Sequence, residues 1–418
     1  MSVPMMRFPD FIGNWVLHDL KSQIDFLAGY AFDSKLMKSA VSKYQLIKMS
    51  NVYQSELNLD RNPSYWEDID KSTKKFLLKK GDVILTLTGT VGKKDYGYSV
   101  DILEDSKFLL NQRLVRLRGR VDKSSSKFIK HLISTQRFFY HFFAESKGGT
   151  GNQSNVSIED LKLFQIYFPH LEEQTKIANF LTAVDEKIQH LTQKADLLAQ
   201  YKKGVMQQIF SQELRFKDDD GGDFPEWERR LLGQLYNITS SKRVFQNEWT
   251  KVGVPFYRAR EVVKLSENGV VENELFISDE MYCEYKEKYG VPKKDDLIVT
   301  GVGTIGRLYV VKAEDKFYFK DGNIIWFKNM GIANSQFVKQ LFKSHVVKKQ
   351  IEDNASITTV GTYTIESANK TSIPFPCVKE QTKIANFLTA IDDKITHAQT
   401  QFAAVKQYKQ GLLQQMFV

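Results

Sequence analysis

Cysteine is scarce in this 418-residue chain: Cys283 and Cys377 are the only two, and they lie far apart. Such a pair offers neither a disulfide framework nor a metal-ligand spacing, so a reducing compartment is the expectation. No run of eighteen apolar residues occurs, and the opening "MSVPMMRFPDF" has no apolar segment of signal-peptide length. A soluble intracellular protein is therefore expected, rather than a secreted or membrane-spanning one. The seven histidines form no His-x-x-x-His metal pair, and no Ser/His/Asp order recurs. The chain does have apolar material for real cores, at 42% hydrophobic residues, and a basic balance of +9. An excess of Lys and Arg favours a polyanionic partner, most often nucleic acid.

The chain is also internally duplicated. "EQTKIANFLTAVDEKI" at 173–188 returns as "EQTKIANFLTAIDDKI" at 380–395, identical at fourteen of sixteen positions and 207 residues on. The match runs without a gap to "QYKKGVMQQIF" (200–210) and "QYKQGLLQQMF" (407–417). Elsewhere the copies diverge but keep their order. Phe8-Pro9 before Trp15 corresponds to Phe224-Pro225 before Trp227, and "GDVILTLTGTVGK" (81–93) to "KDDLIVTGVGTIGR" (294–307). The acidic, glycine-containing stretch "SQELRFKDDDGGD" (211–223) reads as an exposed linker between the halves.

The repeated segments have the spacing of long helices. Ile177, Leu181, Val184, Ile188, Leu191, Ala195, Leu198, Lys202, Val205 and Ile209 alternate in steps of four and three. The same seam recurs at Ile384, Leu388, Ile391, Ile395, Ala398, Phe402, Val405, Lys409, Leu412 and Met416. This is a heptad a/d stripe, with one polar interruption (Lys202, Lys409) at the same place in each copy. Each stripe predicts a helix of about 39 residues and roughly 60 Å. Glu172 and Glu173 fall in a first turn, where the helix dipole favours carboxylates. Each helix can pack on its own globular region, or the two can pack on each other antiparallel; the second arrangement gives pseudo-twofold symmetry and is preferred. The globular regions read as mixed α+β: "DVILTLTG", "RLVRLR", "DLIVTG", "RLYVV" and "NIIWFK" have strand character. "SKFIKHLISTQRFFYHFF" and "SQFVKQLFKSHVVKKQI" have helical spacing.

Three motifs that suggest cofactor chemistry fail on context. "GVGTIG" (301–306) fits a dinucleotide loop, but "RLYVVK" reads as a strand where a helix is required. "GTVGKK" (89–94) has Lys94 where a phosphate loop needs Ser or Thr. "NPSYW" (62–66) approximates an amino-methyltransferase motif but has Ser64 in place of a second proline, and a turn is the simpler reading. What recurs in both halves is a set of basic, amide, hydroxyl and aromatic loop residues. In the first half these are Lys93, Lys94, Arg113, Lys147, Asn152, Gln153 and Asn155. In the second they are Arg258, Arg260, Arg307, Lys320, Asn323, Thr358, Thr359 and Tyr363. Arg reads guanine, Asn and Gln read adenine, and Lys holds phosphate, so the set is a candidate DNA-binding surface.

The openings "FPDFIGNW" and "FPEWERRLLGQL", the strand pieces "GDVILTLTGTVG" and "DLIVTGVGTIG", and the twin "EQTKIANFLTA" segments resemble the specificity subunits of type I restriction–modification systems over the whole chain. The resemblance implies target-recognition domains at 1–170 and 224–377, spacer helices at 171–212 and 378–418, and a linker at 213–223. It further implies that each domain reads half of a bipartite, asymmetric site in double-stranded DNA, while the helices set the spacer. Two modification subunits would bring S-adenosylmethionine, and restriction subunits would bring ATP and Mg. This chain would then be cytoplasmic, bind no cofactor or metal, and catalyse nothing. The alternatives are an autonomous DNA methyltransferase or other DNA-modifying enzyme, and a coiled-coil scaffold that never touches DNA.

Overall fold

A computed structural model describes residues 3–148, 152–269, 271–272, 275–355 and 361–418. The chain forms two compact units, 1–192 with 399–418, and 193–398. The cut falls inside both long helices, Leu171–Phe210 and Val378–Gln415. Each unit thus holds one head, part of its own helix and part of the other copy's helix.

The first unit is built on a four-stranded antiparallel sheet in the order Ile24–Ala28, Leu114–Gly119, Val83–Thr86, Ser99–Asp101. Both faces of the sheet are covered, which explains the unbroken apolar run Val83-Ile84-Leu85. Val83 and Leu85 join the core beneath the helices, whereas Ile84 joins a second core on the other face. Alternation with period two is what a pleated strand requires. Phe108–Leu110 pairs parallel to Tyr44–Ile47, which pairs antiparallel to Tyr65–Trp66. The segment expected to be helical is two helices, Ser126–Leu132 and Gln136–Ala144, and Thr135 caps the second by accepting from the Phe138 amide.

The second unit repeats the plan with different residues. Its antiparallel sheet runs Tyr236–Thr239, Ile324–Asn329, Leu297–Thr300, Leu308–Val310. Val254–Tyr257 lies parallel to Tyr318–Phe319. Helices Ser335–Phe342 and His345–Ala355 follow. The strand at Leu308–Val310 directly after "GVGTIG" agrees with the rejection of a dinucleotide loop.

The helix halves run antiparallel within each unit. In the first, Trp15 touches both Glu173 and Phe417, while Asp185 pairs with Lys409. Moving forward along one helix moves backward along the other. In the second, Lys202 pairs with Asp392 and Arg215 with Glu380. The seam residues Ile177, Leu181, Leu191, Val205, Ile384, Leu388, Ile391 and Leu412 are buried, and Val184, Ile188, Leu198, Ile395, Phe402 and Val405 half-buried. Both packing alternatives are realised together. Ile177 and Leu181 share a core with Leu412 and Met416 and with the first head's Trp15 and Phe128. Val205 and Ile209 share one with Ile384, Leu388 and the second head's Phe337.

The repeated word is a joint. Glu173, 1% exposed, accepts two hydrogen bonds of 2.7 Å from Arg7 and one of 3.3 Å from Trp15. Glu380 accepts from Arg215 (2.9 Å) and Trp227 (2.9 Å) in the second unit. Gln174 accepts from the Ser125 amide and donates to the carbonyls of Lys123 and Pro169. Gln381 accepts from the Asn334 amide and donates to the Pro376 carbonyl. These contacts correct two sequence expectations. Part of the segment at 213–223 is anchored: Arg215 grips Glu380, and Phe216 packs edge-on to Phe387 as Phe8 packs on Phe180. The structural counterpart of Arg7-Phe8 is therefore Arg215-Phe216, not Phe224-Pro225, and the stretch from Phe216 to Trp227 is longer than that from Phe8 to Trp15 in the first copy.

Candidate nucleic-acid interface

In the first head, three separate segments converge where the sheet strand Val83–Thr86 ends. The Leu87 amide donates to the Arg113 carbonyl (3.0 Å), and the Leu87 carbonyl accepts from the Val156 amide (3.0 Å). Thr88–Thr90 then pairs antiparallel with Gln153–Asn155. The result is a cavity of about 330 Å³ lined by Met49, Thr88, Gly89, Thr90, Arg113, Asn152 and Gln153. Arg113 stands on a tight turn with φ +69°, its side chain exposed. Asn155 is exposed on the strand paired to Thr88. Lys93 and Lys94 are exposed on the turn beyond Thr90, with the Lys94 ammonium 5.6 Å from the Phe143 ring. A donor-rich rim around an open polar hollow suits phosphate and base-edge contacts. Lys147 is committed elsewhere: Asp160 lies 2.8 Å away, and its hydrogen bond and charge push the Lys147 pKa up.

The second head has the same junction with other side chains. The Gly301 amide donates to the Asn323 carbonyl (2.9 Å), and the Gly301 carbonyl accepts from the Tyr363 amide (2.8 Å). Asn323 thus occupies the place of Arg113. Lys320 sits on the same turn, its amide bonded to the Tyr257 carbonyl, which brings it beside Arg258. Arg258 and Arg260 both pair with Glu261, a buried carboxylate at the start of the helix Ala259–Asn268. Arg307 is exposed, 3.8 Å from Glu267. Thr358 and Thr359 lie outside the described residues. Tyr363 is not a surface reader: it is 2% exposed, and its hydroxyl is 2.8 Å from that of Thr371.

Sequence reasoning missed Lys48, which follows its parallel strand as Arg258 does and shares the cap geometry. The Lys48 amide donates to Asn51 Oδ1 (2.9 Å), and the Arg258 amide to Glu261 Oε2 (2.9 Å). Divergence between the heads hides this match, because only strand pairing aligns the two positions. The strongly shifted groups belong to the framework. His131 is pushed down to about 3 by burial first, then by Lys409 and Lys130. Lys202 is pushed down to about 8, again by burial first. Among the described residues no cluster of His, Cys, Asp and Glu could hold a metal ion, and no helix is long and apolar enough to cross a membrane.

Comparison with known proteins gives a consistent answer. The type I restriction enzyme MjaVIII specificity subunit of Methanocaldococcus jannaschii is 25% identical over 349 residues, 78% of this chain and 75% of its own. The type I restriction enzyme EcoBI specificity subunit of Escherichia coli is 22% identical over 440 residues, covering 97% and 85%. The crystal structure of the type I restriction–modification S subunit from M. genitalium superposes with a TM-score of 0.64 at 18% identity, over 100% of this chain and 99% of that one. The profile of the type I restriction modification DNA specificity domain matches twice, at residues 13–200 and 225–407. Two matches that together span most of the chain, each laid over one head and its helix, place the protein in the type I restriction–modification DNA specificity family.

Proposed function

We propose that each head binds one half of a bipartite, asymmetric site in double-stranded DNA, and that the helices set the spacing between the halves. The observation that carries this reading is one junction built twice with different readers, Arg113 in the first head and Asn323 in the second. The same backbone hydrogen bonds with unequal side chains suit two half-sites of different sequence. Some exposed positions of the repeated segment carry the same residue in both copies, Asn179 with Asn386 and Lys187 with Lys394. Such twin surfaces suit two copies of one partner, the methyltransferase subunit, with restriction subunits completing the complex. The chain itself is non-catalytic and binds no cofactor; S-adenosylmethionine belongs to the modification subunits, and ATP and Mg to the restriction subunits.

Methylome sequencing of a host carrying this chain and its methyltransferase tests the reading. The expected result is a two-part, non-palindromic methylated motif. Exchanging residues 1–170 for another head is expected to change one half of that motif. A change in both halves, or S-adenosylmethionine binding by the isolated chain, would overturn it.

A further inference from the structure

The first head carries a small hairpin that has no counterpart among the described residues of the second. Val52–Tyr53 pairs with Glu56–Leu57, and the two-residue tip is Gln54-Ser55. Both tip residues have positive φ, +50° and +63°. This is the left-handed conformation of a type I′ turn, which Asn-Gly or Gly-Gly adopts with least strain. Gln and Ser there cost stability, and both side chains are exposed; the contact of Gln54 Nε2 with the Tyr53 hydroxyl, at 3.5 Å, is only a weak offset.

The base of the hairpin is rigid. The buried Asn51 side chain donates to the carbonyls of Asn58 (3.0 Å) and Arg61 (2.8 Å), and Val52 sits in a core. The flank is cationic and aromatic: Arg61 lies 5.9 Å from the Tyr53 ring, and Tyr53 meets Tyr98 edge-on at 5.5 Å. Tyr98 in turn donates to the Lys94 carbonyl (3.1 Å). The hairpin also grows from the short helix Met49–Asn51, whose Met49 lines the Arg113 cavity. In the second head the corresponding strand leads instead into the helix Ala259–Asn268.

We propose that this hairpin enters a groove of duplex DNA and that Gln54 reads an adenine edge in the half-site of the first head. A two-stranded ribbon fits the major groove, and a Gln amide matches adenine N6 and N7. The inference rests on the DNA-reading function proposed above.

The test is Gln54→Gly with Ser55→Gly, which keeps the turn and removes both side chains. The full chain with its methyltransferase subunits is titrated against a duplex carrying the methylated motif and against a scrambled duplex. Expected are a rise in Kd of roughly tenfold or more on the motif, no change on the scrambled duplex, and relaxation of one A·T position in one half of the methylome motif. An unchanged Kd and motif, or equal weakening on both duplexes, would overturn the inference. A wild-type complex that does not discriminate the two duplexes would overturn the proposed function and this inference with it.

Discussion

Lys202 Nζ lies 2.6 Å from Asp392 Oδ2 and 2.8 Å from Gln340 Oε1, a tie between a residue of one repeat and residues of the other. The first unit repeats it with Lys409 and Asp185 at 2.5 Å and His131 at the place of Gln340. The lysines that interrupt the heptad stripe are therefore fixed polar contacts that each favour one register of the helix pair.

Lys202 makes stability depend on pH. Burial pushes its pKa down to about 8 from 10.5, with Asp392 opposing the shift and Lys343 adding to it. Between those values the unfolded chain binds more protons than the folded one, so stability rises with pH across that window. Below about 8 the burial cost is felt in full. Relative to Lys202→Met, the wild type gains up to about 1.4 kcal/mol per pH unit in the window. Denaturant titrations of both proteins from pH 7 to 10.5 give the difference.

The two ties are unequal, and the better one can be copied. Gln340 Nε2 donates to Asp392 (3.0 Å), whereas His131 Nδ1 and Asp185 Oδ2 face each other at 3.9 Å without a hydrogen bond. His131→Gln is expected to restore that bond and stabilise the protein by about 0.5–1.5 kcal/mol. Thermal unfolding of the single variant reads it directly; a lower Tm would mean the imidazole packs better than the amide bonds.

Glu173→Gln leaves a half-buried Arg7 without its counter-charge and removes a charge-assisted pair. A loss of about 2–4 kcal/mol is expected. Glu380→Gln is expected to match it, because Arg215 and Trp227 make the same clamp. Chemical denaturation of the two variants compares them, and limited proteolysis should find new cleavage near Arg7 in one and near Arg215 in the other.

Arg113→Ala is expected to weaken binding to the methylated motif by about 1–3 kcal/mol and relax one half of it, leaving the other half intact. Lys93→Ala, by contrast, should weaken all duplexes alike and flatten the dependence of log K on log salt by about one. Gel shifts over a salt series, on motif and scrambled DNA, separate base reading from phosphate holding.

Tyr363→Phe removes only a buried hydroxyl pair with Thr371. About 1 kcal/mol of stability should be lost with DNA affinity unchanged. Equilibrium unfolding together with a gel shift checks both halves of that statement.

The long helices were legible because a heptad stripe is a local pattern and the duplication printed it twice. The central strands were legible because both their faces are buried, which leaves runs such as Val83-Ile84-Leu85. The joints were not legible. Glu173 and Gln174 look like surface residues of a first helical turn, and only the return of the chain 166 residues away, at Arg7, shows that they are buried. Arg215 was hidden in an acidic, glycine-containing stretch whose composition describes the residues around it. Of the candidate readers, Arg113 and Asn323 were chosen by residue type and stand at matching places in the two heads, whereas Tyr363 was misplaced, because an aromatic near a polar loop reads the same whether it faces water or core. Gln54-Ser55 carries no turn signature, so its strain is visible only in the backbone.

The first unit is finished by residues 399–418, which leave the ribosome roughly 200 residues after the rest of it. At about 5–20 residues per second the delay is roughly 10–40 s. During that time the apolar floor formed by Trp15, Phe128 and Leu181 lacks Leu412, Met416 and Phe417 above it. A nascent first head is therefore an open surface waiting for residues 399–418, and a frameshift in the codons for those residues would damage the head that was made first.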